Sequence, residues 1–265
     1  MFFHARQHKL QLDDLQMNYI TFGRGTKPLV MIQGLNTRSL QGMALPLAWM
    51  YRIFAADYKV WLFDRRENLP PEVTIADLTA DLARAMDELG IRDADVLGVS
   101  QGGMIAQQLA IDRPDLVRRM VLAVTLARNN ETVSDVLERW IDLTRRGDWK
   151  ALVEDMTVKM YSPSYVSRYR PLLPLLTLLQ KPKDVRRFLT LAHACLTCTA
   201  YDRLDRITCP TLVIGGAEDR VVGSNASVEI AEKLGCALYL YPGLGHAAYE
   251  EAPDFNRRVL DFLRK

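Results

Sequence analysis

The sequence predicts an α/β protein: a mostly parallel sheet flanked by helices, with a helical segment inserted between two of its strands. Three observations carry that reading. Short, nearly continuous apolar runs alternate with amphipathic helical stripes, the pattern of strands buried on both faces of a parallel sheet. The alternation stops over residues 128–203, where no strand run occurs, and resumes at Pro210. With 265 residues the chain is long enough for a large core carrying an inserted subdomain.

The elements follow in order. Residues 10–22 read as one or two edge strands of hairpin type, and 29–32 form an apolar run ending at Gly34. Residues 60–63 form another, ending at Asp64. A helical stripe through Ile75, Leu78, Leu82, Met86 and Leu89 follows, opened by a capping-box pair, Thr74 and Asp77, and stopped at Gly90. Residues 95–99 are a strand that runs through Gly98-Val99-Ser100-Gln101-Gly102-Gly103 into a helix reaching about Asp112. Residues 120–124, 211–214 and 237–241 are further buried strands, and the stripe Phe255, Val259, Phe262 and Leu263 is the closing helix. The segment 128–203 is helical throughout, broken by Pro163, Pro171, Pro174 and Pro182. The chain therefore divides into a core, residues 1–127 and 204–265, and a helical insertion, residues 128–203.

Composition excludes several classes of function. Apolar residues make up 49% and charged residues 25%, ordinary for a soluble globular enzyme and unlike a disordered chain. A net charge of +2 is too small to argue for nucleic acid or an anionic membrane surface. No apolar stretch reaches the roughly 18 residues of a membrane span. His4, Arg6, His8 and Lys9 are followed by no secretory apolar run, so a cytoplasmic protein is expected. The four cysteines, Cys195, Cys198, Cys209 and Cys236, do not resemble a disulfide framework. Cys195 and Cys198 have the C-x-x-C spacing, but no second pair accompanies them and the segment reads as helix. Two buried cysteines one turn apart is the reading adopted, with no metal expected.

Gly98-Val99-Ser100-Gln101-Gly102 matches G-x-S-x-G in the context that motif requires, after a strand and before a helix. The glycines allow a very tight turn that lifts the hydroxyl above the sheet edge. The helix N-terminus then points free amides at developing negative charge. A serine hydroxyl is a weak nucleophile and needs a base, which in turn needs an orienting acid. Of four histidines, only His246 lies in a loop directly after a core strand; His4, His8 and His193 are read as structural or surface residues. Just past the strand at 211–214 stand Glu218 and Asp219, adjacent carboxylates that spacing alone does not separate. Asp219 is the assigned acid and Glu218 its competitor, giving the chain order Ser100, Asp219, His246.

From about Leu10 onward the chain resembles the α/β-hydrolase superfamily. Gly216 to Asp219 matches that family's Gly-x-x-Asp, and Gly243 to His246 its Gly-x-Gly-His. The resemblance implies that the backbone N–H groups of Leu35 and Gln101 form an oxyanion hole, and that residues 128–203 are a cap roofing the pocket. Two departures stand out. Gln33-Gly34-Leu35 replaces the usual His-Gly-x, and Asp64-Arg65-Arg66-Glu67-Asn68 lacks the usual Gly-x-Gly-x-Ser after Asp-x-Arg. Serine at the nucleophile position sets the chain apart from the family's haloalkane dehalogenases and epoxide hydrolases, which use aspartate.

The expected activity is hydrolysis of small to medium apolar carboxylic esters through an acyl-enzyme, with no cofactor. The same triad also serves C–C bond hydrolases, lactonases, thioesterases, aminopeptidases and lyase-type synthases, and a non-catalytic ligand sensor on a hydrolase shell is the remaining alternative. Most of the cap's apolar residues are expected to pack it onto the core. Leu172, Leu176 and Tyr161 are expected to line the substrate pocket with Met104, and Met43 and Met50 to contribute adaptable lining. The partner is a small-molecule acyl substrate, not nucleic acid or a membrane.

Overall fold

The computed structural model describes residues 2–37, 39–172, 175, 177 and 182–265. Eight strands form one sheet in the order β1-β2-β4-β3-β5-β6-β7-β8. They are β1 (Arg6–Leu12), β2 (Leu15–Phe22), β3 (Lys27–Ile32), β4 (Tyr58–Arg66), β5 (Ala94–Val99), β6 (Val117–Ala123), β7 (Thr211–Gly216) and β8 (Ala237–Tyr241). The first two form the expected antiparallel hairpin, β2 joins β4 antiparallel, and every later pairing is parallel.

Alternation along the strands sorts side chains into two apolar layers. Val30, Ile32, Val96, Met120 and Leu122 enter one layer, and Leu29, Met31, Leu97, Val121 and Ala123 the other. Helices α2 (Ile75–Glu88) and α3 (Gln101–Asp112) cover the first face, whereas α1 (Ala44–Met50) and the C-terminal helix (Phe255–Leu263) cover the second. The capping box at α2 is present as expected: Thr74 accepts from the Asp77 amide while the Asp77 carboxylate accepts from the Thr74 amide.

Between β6 and β7 the described elements are helices, joined by loops and one isolated antiparallel bridge, Arg128 to Thr199. They comprise α4 (Glu131–Arg146), α5 (Trp149–Met160), α6 (Pro163–Tyr169) and α7 (Val185–Cys195), followed by a 3-10 turn, Tyr201–Arg206. Asn130 caps α4 by accepting from the Val133 amide, and Gly147 ends it in the left-handed conformation at φ 70. Pro163 opens α6 rather than interrupting a helix, with Ser162 as its cap.

Two expectations change. The run at Ala237–Tyr241 is the sheet's edge strand, and Leu238 is exposed. Apolar content signalled burial there, but one side of the strand has no neighbour. Helices α1 and α8 (Ala226–Leu234) were not evident in the sequence reading, and Met43 and Met50 at the ends of α1 are exposed instead of lining a pocket. No described helix is long and apolar enough to cross a membrane.

Candidate active site

Parallel pairing of β3, β5, β6, β7 and β8 places their C-terminal ends along one edge, and the motif residues lie just beyond those ends. Ser100 links β5 to α3 with φ 53 and ψ −118, a conformation that residues bearing a side chain rarely adopt. Its amide donates to Ala123 O at 2.8 Å, and its carbonyl accepts from Thr125 Oγ1 at 2.8 Å. The flanking glycines are a steric requirement. A Cβ on Gly98 would lie 2.5 Å from Gly102 O, and one on Gly102 would lie 2.0 Å from Ile32 O.

The three triad candidates are brought together. His246 Nε2 lies 3.0 Å from Ser100 Oγ, and His246 Nδ1 lies 2.8 Å from Asp219 Oδ2. Asp219 Oδ1 accepts from the amides of Val221 and Val222 at 2.8 and 3.0 Å, so the carboxylate is held from both sides. A carboxylate on Nδ1 sets the proton there and leaves Nε2 to accept from the serine hydroxyl. Asp219 and His246 are buried, whereas Glu218 faces solvent, which separates two carboxylates that spacing could not. The histidine loop is tied to the helical insertion through Ala247 N, which donates to Met160 O at 2.8 Å.

Leu35 follows β3 and Gln101 opens α3 beside Ser100. Neither main-chain N–H has an acceptor among the described residues. The Gln101 side chain is fully buried: Nε2 donates to Leu191 O at 2.8 Å and to Cys195 Sγ at 3.1 Å, both on α7.

Ser100 and His246 open onto a cavity of about 80 Å³. Leu35 and Met104 line it from the core, Val133, Leu137 and Trp140 from α4, and Met156 and Met160 from α5. Cys195, Val221, Val222 and Tyr249 complete the wall, and among the described residues no Lys, Arg, Asp or Glu side chain lines it. Trp140 is oriented by its indole N–H, which donates to Asp155 Oδ2 at 2.9 Å. Burial pushes the Cys195 thiol up to about 12 and the Cys198 thiol up to about 11, so both are neutral, and no cluster of metal-ligating side chains occurs among the described residues.

Of the expected pocket residues, Met104 lines this chamber. Leu172 does not: it lies on a turn, Arg170–Leu172, and is exposed. Tyr161 also faces elsewhere. It donates to Glu250 Oε2 at 2.6 Å, stacks on Tyr165, and lines a separate groove with Arg170 and Arg220. Leu176 lies outside the described residues. The described part of the wall that the helical segment supplies comes largely from residues spaced along α4 and α5, whose inward faces depend on how those helices dock.

Sequence reasoning gives the Arg65 side chain no role and reads Arg187 with the cap's other basic residues as a solvated face or a site for a substrate carboxylate. Arg65 Nη2 donates to Gln33 O at 2.5 Å and to Gln101 Oε1 at 3.2 Å. Arg187, on α7, donates to Asp64 Oδ1 at 2.9 Å and to Arg66 O at 2.6 Å, while Arg66 forms a bidentate pair with Asp81. The signal was present. Asp64-Arg65-Arg66 ends a strand buried on both faces, where charges require partners.

A serine on a strand-to-helix turn, with acid and histidine on later loops of the same sheet edge, is the arrangement of the α/β hydrolases. The family profile for the alpha/beta hydrolase fold matches residues 27–253, and the chain belongs to that family. Among its relatives is a RutD protein of Caulobacter sp. (strain K31), assigned by name to carbamate hydrolysis, which is 28% identical over 78% of this chain and 81% of its own length. A 2-hydroxy-6-oxononadienedioate/2-hydroxy-6-oxononatrienedioate hydrolase of Pseudomonas sp. is 27% identical over 68% of this chain and 66% of its own. A crystal structure of an alpha/beta hydrolase enzyme from a Medee basin deep-sea metagenome superposes with a TM-score of 0.85 at 22% identity, covering 97% of this chain and 98% of the other. That last likeness is one of fold. The family and its hydrolase relatives make this chain a hydrolase.

Proposed function

We propose that the protein is a serine esterase acting on small, uncharged apolar esters, with Ser100 as nucleophile, His246 as general base and Asp219 as the orienting acid. The observation that carries this reading is the hydrogen-bonded series Ser100–His246–Asp219 opening onto an apolar chamber. His246 takes the serine proton as Oγ attacks the acyl carbonyl, and Asp219 stabilises the imidazolium that forms. The amides of Leu35 and Gln101 receive the developing oxyanion. Collapse of the tetrahedral intermediate expels the alcohol, which takes its proton from His246. Water, activated by the same histidine, then releases the acid.

The chamber wall favours this substrate class over the dicarboxylate named for the Pseudomonas relative. A dienedioate carries carboxylates, and a carboxylate buried against Leu137, Met156 and Val222 would lack a partner. A cavity of about 80 Å³ suits a short acyl group. In this reading residues 128–203 act as a cap, α4 and α5 roofing the acyl group and α7 closing the side nearest Gln101.

A fluorophosphonate probe tests the proposal on the purified protein beside Ser100→Ala. Labelling of the wild type alone, at Ser100, is expected, with turnover of p-nitrophenyl acetate and butyrate. An unlabelled wild type would refute the activated serine. Labelling with turnover only of a vinylogous 1,5-diketone acid would replace the ester assignment with C–C bond hydrolysis.

A further inference from the structure

We infer that Arg65 is a positioning residue for the oxyanion hole, one guanidinium nitrogen holding both of the segments that supply its amides. The inference rests on the assignment of Leu35 and Gln101 proposed above.

Arg65 Nη2 donates to Gln33 O at 2.5 Å and to Gln101 Oε1 at 3.2 Å. Gln33 precedes Gly34 and Leu35, and Gly34, lacking a side chain, leaves the orientation of the Leu35 amide soft unless the preceding peptide is gripped. Gln33's own side chain does not grip it across the site, because Oε1 accepts from Asn36 within the same loop at 3.3 Å. Gln101 adjoins the nucleophile, and its side-chain amide is anchored on α7 through Leu191 O. The guanidinium therefore ties the loop after β3 to the start of α3, the two sources of oxyanion donors.

The energetics argue against simple structural filler. Arg65 is 5% exposed, and burial draws its pKa down to about 10, so it stays protonated at neutral pH. No carboxylate lies within ion-pair distance of it among the described residues. Asp64, its chain neighbour, instead accepts from the backbone amides of Arg65 and Leu40 and from the Arg187 guanidinium. Asp64 stabilises the Arg65 charge through space, but the guanidinium's own hydrogen bonds go to carbonyl-type oxygens, one on each segment assigned to supply an oxyanion amide. The position is also where the chain departs from its family: Gln33 replaces the usual histidine, and the segment after Asp64 lacks the usual glycines.

The test compares wild type, Arg65→Met, Arg65→Lys and Gln101→Met. Active sites are titrated with the fluorophosphonate, and kcat and KM are measured on p-nitrophenyl acetate. Arg65→Met is expected to lose about 100-fold in kcat per titrated site with KM within about twofold, the pattern of a misplaced transition-state donor. Arg65→Lys, which keeps the charge and can reach one acceptor, is expected to recover about tenfold of that loss. If Arg65→Met does not fold, Gln101→Met removes the second acceptor while keeping its backbone amide, and should lower kcat about tenfold at constant KM. Wild-type kcat per titrated site in a folded Arg65→Met, with only the melting temperature lowered, would overturn the inference and leave the esterase reading intact. In the fallback, wild-type kcat in folded Gln101→Met would do the same. A wild type that the probe does not label would remove both.

Discussion

At the sheet edge, Ser100, Asp219 and His246 each follow a strand end, and main-chain contacts hold them there. Ser100 is pinned by Ala123 O and the Gly98–Gly102 approach, and Asp219 by two amides. In the helical segment above, the residues facing the same chamber sit mid-helix and are held by packing: Val133, Leu137 and Trp140 on α4, Met156 and Met160 on α5. The edge tolerates almost no change in backbone geometry, because its contacts are between main-chain atoms that cannot move aside. The roof tolerates changes of side chain, because flexible thioethers and branched chains can rearrange. In the proposed esterase, chemistry is thus lodged in the rigid half and substrate shape in the adaptable one.

The largest expected effect breaks the rigid half. In Gly102→Ala the new methyl would meet Ile32 O, a backbone atom of a central strand, at 2.0 Å. A loss of about 3 kcal/mol in urea unfolding is expected, with loss of probe labelling at Ser100. A stable, labelled Gly102→Ala would show that the edge can rearrange after all.

A smaller effect sharpens the contrast from the other side. Met156→Ala should cost about 2 kcal/mol in stability while keeping Ser100 reactive. By enlarging the chamber it should raise kcat/KM for a hexanoate ester relative to the acetate about tenfold. An unchanged acyl-length profile would remove Met156 from the substrate wall.

The smallest effect lies where the halves meet, at Cys195. Its thiol stays protonated in the folded protein until about pH 12, whereas a thiol in the unfolded chain ionises near 9.0. Between those values the unfolded state binds fewer protons, so stability falls as pH rises. The drop in urea midpoint from pH 7.5 to 10 should therefore be smaller in Cys195→Ala than in wild type. An equal drop would place the alkaline sensitivity elsewhere.

The strands, the nucleophile turn and the histidine loop were legible because each has a local cause. Apolar runs mark buried strands, paired glycines mark a tight turn, and a lone histidine after a strand has few other uses. Spacing alone did not choose between Glu218 and Asp219, since neighbouring residues differ only in which way the chain turns after β7; the resemblance to Gly-x-x-Asp favoured Asp219. Leu172 and Tyr161 misled for a related reason: an apolar or aromatic residue announces contact without saying with what.

The sequence by itself determined the α/β class and the placing of Ser100, Asp219 and His246 at strand ends, because hydrophobic period and turn chemistry act over a few residues. Only the tertiary structure decided which helical faces wall the chamber, that no Lys, Arg, Asp or Glu among the described residues lines it, and that Arg65 joins the loop after β3 to Gln101. Those features arise between residues tens of positions apart. They depend on the docking of whole helices and strands, which no local pattern encodes.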